Sequence, residues 1–123
     1  MSSGGMPRSS THEVVVCGIP TRFVLTAYTN RIMVVVTQTQ NMGTLILASA
    51  DNPLDPTSRA FTTRVLVGKR DDEALEAYAR TLIELISQRK PDAGSLLLCI
   101  SIREHSHEMF RSVMREVEEH RVW

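Results

Sequence analysis

The chain has 123 residues, 14 basic and 14 acidic side chains and only six aromatics, so its formal charge is zero. A chain of this length buries ~65% of the surface it exposes when unfolded, which supports one core and one domain. Zero net charge gathers no phosphates and no anionic membrane surface, and aromatics that occur singly build no stacking platform, so a nucleic-acid role is excluded. Met1–Thr11 holds Ser, Gly and Pro with neither an apolar core nor an Arg-rich amphipathic pattern. It reads as a disordered tail, not a targeting signal, ahead of a single domain over 12–123. The longest apolar runs, Ile32–Val36 and Leu96–Ile100, fall far short of the ~20 residues that cross a bilayer. Cys17 and Cys99 are expected to be reduced, as in the cytoplasm or nucleus.

From Glu13 to Val67 the sequence is rich in Val, Ile and Thr and reads as five strands. The first spans Val14–Cys17 and is broken by Gly18, Ile19 and Pro20. Thr21–Tyr28 follows, with Phe23, Leu25 and Ala27 alternating against Arg22, Val24 and Thr26. Thr29 and Asn30 turn the chain tightly into Ile32–Gln38. Gln40, Asn41, Met42 and Gly43 make the next turn, and Thr44–Ser49 is strand four. A polar loop over 50–60 with Pro53 and Pro56 leads to strand five, Phe61–Val67.

The period then changes from two to about 3.6. Leu75, Tyr78, Ala79, Leu82, Ile83 and Ile86 share one face of a helix over 71–88, with Asp71, Asp72 and Glu73 at its positive end and Pro91 beyond its last turn. Ser95–Ile102 is strand six. Ser106 is placed to cap a final helix burying Met109, Phe110, Val113, Met114 and Val117. The fold class is α+β: a mostly antiparallel six-stranded sheet with two helices on one face, in the order β-β-β-β-β-α-β-α.

That arrangement leaves a physical deficit. Strands one, three and six are apolar at consecutive positions, as in strands covered on both faces, yet two helices cover one. A second copy or a related subunit, packed sheet against sheet, supplies the missing cover and makes the protein a dimer. Val34, Val36, Leu45 and Leu47 are the candidates for that sheet face. By the same reasoning Val35 and Leu98 are both buried, and an Asp at either position unfolds the domain.

No chemistry-bearing motif is complete, no cofactor is indicated, and no enzyme activity is expected. His105 and His107 lie two apart with His120 downstream, but no Cys or carboxylate pattern completes a metal site. Val67-Gly68-Lys69 lacks the rest of a phosphate loop, because Thr63 stands where glycine is required and Arg70 where a hydroxyl would hold magnesium. Cys17 has only His12 as a basic sequence neighbour. The carboxylates of 71–76 and 116–119 read as solvated helix faces and end complements.

Val15-Val16-Cys17-Gly18-Ile19-Pro20-Thr21, Val34-Val35-Val36-Thr37-Gln38, Met42-Gly43-Thr44-Leu45, Thr62-Thr63-Arg64-Val65-Leu66-Val67-Gly68 and the final Val122-Trp123 resemble, in this order and spacing, the proteasome assembly chaperone 3 family. The resemblance runs from Glu13 to Trp123 and is loose over 51–60. It implies a non-catalytic chaperone that helps the α-subunits of the 20S proteasome form a ring, dimerises with proteasome assembly chaperone 4 or with itself, and leaves before the particle is complete. Loops on a rigid sheet commonly carry recognition, so Gln40, Asn41, Met42 and Gly43, with Asp51, Asp55 and Arg59 of the longer loop, are the candidates for partner contact. A longin-like or profilin-like adaptor is the alternative. A hot-dog enzyme is disfavoured because its long helix precedes most of its strands, whereas both helices here come late.

Overall fold

Six strands form one sheet and two helices pack on one of its faces in the computed structural model, which describes residues 8–39, 43–51, 60–68 and 72–123. The elements are β1 (Arg8–Val16), β2 (Ile19–Ala27), β3 (Arg31–Thr37), β4 (Thr44–Ala50), β5 (Phe61–Val67), α1 (Glu73–Arg89), β6 (Ser95–Ser101) and α2 (His107–Glu119). They come in the expected order. Across the sheet the order is β1-β2-β3-β6-β4-β5, and every neighbouring pair is antiparallel except β3 with β6. The last strand in sequence thus fills the middle of the sheet.

Two local expectations change. β1 starts at Arg8, so residues 8–11 of the expected tail pair with 24–27 of β2. Arg8-Ser9-Ser10-Thr11 has no apolar signal, and pairing with β2 supplies the order that composition does not. The break after strand one is also shorter than expected. Cys17 and Gly18 alone make the turn, both at positive φ (49° and 78°), as a two-residue hairpin matched to strand twist requires. Ile19 and Pro20 open β2, where proline is tolerated because pairing with β3 begins only at Arg22. Strand one is moreover an edge, with Val15 63% exposed, whereas strands three and six are central as consecutive apolar positions imply.

Helix α1 buries Leu75, Tyr78, Ala79, Leu82, Ile83 and Ile86, the face read from the periodicity, against β4, β5 and β6. Asp72 caps it by accepting the Leu75 N–H at 3.2 Å. Ser106 caps α2 the same way, accepting the Met109 N–H at 3.0 Å. Met109, Val113, Met114 and Val117 of α2 are buried, and Phe110 is half-buried against the same core. Buried Gln38 ties the end of β3 to the start of α2, donating to Met109 Sδ at 3.2 Å and to Thr21 Oγ1 at 3.0 Å and accepting the Arg103 N–H at 3.0 Å.

The turn into β6 depends on a glycine. Gly94 has φ 89°, and a Cβ there would stand 1.9 Å from the Asn30 carbonyl oxygen in the β2–β3 turn. Gly18 has φ 78° but open space around it. Gly94→Ala is expected to lose roughly 3 kcal/mol and Gly18→Ala about 1 kcal/mol. Urea unfolding measures both, and equal losses would mean that the Asn30 contact imposes nothing.

Candidate partner-binding face

Alternation along each strand sorts the sheet into two faces. Phe23, Leu25, Ile32, Val34, Val36, Ile46, Ala48, Leu96, Leu98 and Ile100 point to the helices and are at most 1% exposed. Their neighbours point the other way, where no described element lies. Strand register aligns those neighbours into rows: Val24, Val35, Cys99, Leu45 and Val67 face one another across five strands. A bulge at β4–β5 is what sets Val67 opposite Leu45. The adjacent row runs Thr26, Met33, Leu97, Leu47 and Arg64.

The candidates Val34, Val36, Leu45 and Leu47 therefore do not share a face. Leu45 and Leu47 are half-buried on the open side, while Val34 and Val36 are fully buried under the helices. Their pairing partners decide this, because Val34 stands opposite Leu98 and Leu98 opposite Ile46. Val35 belongs to the open face and is half-buried, against the expectation that it shares the core with Leu98. Burial raises the pKa of the Cys99 thiol, so it remains neutral within its apolar row.

At one end the open face becomes polar. A depression of about 770 Å³ lies beside Val35 and Cys99, rimmed by Glu13, Arg22, Thr39 and Arg103. Arg22 and Glu13 approach to 4.0 Å, a solvated pair of little energetic weight. Across the molecule, a groove of about 350 Å³ between α1 and α2 is lined by Tyr78, His105 and Phe110. Burial, and secondarily Cys17, raises the Tyr78 phenol to about 12, so it stays protonated.

Of the loop candidates, Gly43 and Asp51 are exposed at opposite ends of β4. Gln40, Asn41, Met42, Asp55 and Arg59 lie outside the described residues. The histidines group differently from their spacing. His105 is 3.6 Å from Asp72 and His107 is exposed at the start of α2, whereas His120 stacks on His12 with ring centroids 3.7 Å apart. Glu116 joins that pair, its Oε1 3.2 Å from His12 Nε2. A separation of 104 residues between His12 and Glu116 hides this cluster from any motif search.

Fold and surface together define a class: a one-sheet α+β domain whose two helices cover one sheet face and leave an apolar face open among the described residues. Residues 34–120 match the sequence profile of the family described as Proteasome assembly chaperone 3. The chain is 36% identical over 112 residues to the proteasome assembly chaperone 3 of Mus musculus, covering 89% of this chain and 88% of the relative. It is 28% identical over 124 residues to that of Nematostella vectensis, covering 94% and 90%. The fold also matches a chain from the crystal structure of a chaperone complex for yeast 20S proteasome assembly, with a TM-score of 0.70 and 15% identity over 91% of this chain and 97% of that one. The chain belongs to the proteasome assembly chaperone 3 family.

Proposed function

We propose that the chain is a non-catalytic chaperone of 20S proteasome assembly that works as a dimer in the cytoplasm. Its partner is a second copy or proteasome assembly chaperone 4, packed on the open sheet face. The single observation that carries this reading is the row Val24, Val35, Cys99, Leu45 and Val67, apolar across five strands with no described element over it. Covering such a row contributes about 25 cal/mol per Å² of apolar surface removed from water, which is the driving force for sheet-on-sheet packing.

The dimer holds α-subunits of the forming ring through the segments that flank β4 in sequence, Gln40–Gly43 and 51–59, and leaves before the particle closes. Family membership supports the proteasome as the destination. A tagged chain recovered from lysate, separated by size and identified by mass spectrometry, is expected to carry free α-subunits and a second small chaperone without mature 20S particles. Recovery of trafficking factors and no α-subunits would favour the adaptor instead.

A further inference from the structure

We propose that His12, Glu116 and His120 bind one divalent transition-metal ion of the zinc class, joining the edge strand β1 to the C-terminal end of α2. One ligand atom from each residue lies within 4.8 Å of those from the other two. Two imidazoles and a carboxylate make a donor set suited to zinc, with a fourth position left to water.

The spacing is close to what an ion needs. Two ligands bound at 2.0–2.1 Å and a tetrahedral angle stand about 3.4 Å apart. His12 Nε2 and Glu116 Oε1 are 3.2 Å apart, and His120 Nδ1 is 4.0 Å from the same oxygen. Closing that second distance moves His120 by roughly 0.6 Å. The movement falls on the C-cap residue of α2, whose side chain is 39% exposed, so the ring can leave its stack on His12 without disturbing the core. His12 is held by stacking on Phe23, with centroids 4.8 Å apart and planes 3° from parallel.

Protons balance with both rings left neutral, and the charge of the ion is partly offset by the Glu116 carboxylate. Without metal, His12 Nε2–H donates to the Glu116 carboxylate and His120 Nδ1–H donates to the Glu116 carbonyl at 3.0 Å. The ion takes the place of those protons, and each neutral ring carries its N–H on the other nitrogen. His12 Nδ1, buried with no hydrogen-bond partner among the described residues, is the nitrogen whose lone pair receives one of them.

Calorimetric titration of the full chain with Zn²⁺ alone is expected to show one ion per chain and a raised melting midpoint, because ligand that binds only the folded state stabilises it. Co²⁺ is expected to give the visible bands of a tetrahedral site with no thiolate charge transfer. His120→Ala, at an exposed helix end, should retain the fold and lose at least tenfold in affinity, and His12→Gln should behave likewise, while His105→Ala/His107→Ala should bind as the parent does. Absence of Zn²⁺ binding in the parent, unchanged binding in His120→Ala, or a thiolate band from Co²⁺ would each overturn the site.

Discussion

Leu98→Asp is expected to abolish the cooperative melting transition. Leu98 is fully buried in β6, the strand at the centre of the sheet, between Val34 and Ile46 on the helix-facing side. Truncating a leucine in such a place costs about 2–5 kcal/mol in lost burial and cavity. Carrying an unpaired carboxylate there costs several kcal/mol more, or forces it to bind a proton. The sum is on the order of the ~5–15 kcal/mol that holds a domain of this size together. Circular dichroism during heating and urea titration reads the effect. A folded Leu98→Asp chain with the parent's midpoint would remove the helix-facing assignment of β6.

Val35→Asp is expected to separate folding from association. Val35 is in the neighbouring strand, one register position along, yet it points to the open face between Val24 and Cys99 and is only half-buried. An Asp there remains in contact with water in the isolated chain, so the melting midpoint should fall by a few degrees at most. In the dimer the same carboxylate lies at the middle of an apolar contact with nothing to pair it, which weakens association by about 3 kcal/mol, or at least 100-fold. Sedimentation of the variant, alone and with proteasome assembly chaperone 4, measures this beside a melting curve. Undiminished association would put the interface elsewhere, and a collapsed melting curve would mean that the face is covered within the chain.

These two substitutions show where sequence reading stops. Both residues lie in runs of consecutive apolar residues, Ile32–Val36 and Leu96–Ile100, so along the chain they are equivalent and an Asp at either reads as unfolding. Pairing register divides them, since each step along a strand changes face. The same parity divides Val34 and Val36 from Leu45 and Leu47.

Elements were legible where local forces set them. The face of α1 came from the spacing of Leu75 through Ile86, and the cap of α2 from Ser106, whose oxygen meets the backbone donor three residues on, whereas Asp72, expected inside the first turn of α1, is instead its cap. The deficit of cover over a sheet too apolar for two helices was also a matter of composition and element count, as was family resemblance. What only the tertiary structure decided was everything that joins distant parts of the chain: the placement of β6 between β3 and β4, the extension of β1 back to Arg8, the rows of the open face, and the meeting of His12 with Glu116 and His120. The physical reason is that periodicity and capping act over a few residues and are written locally, whereas strand partners are chosen by the summed burial of a whole face, which no segment carries alone.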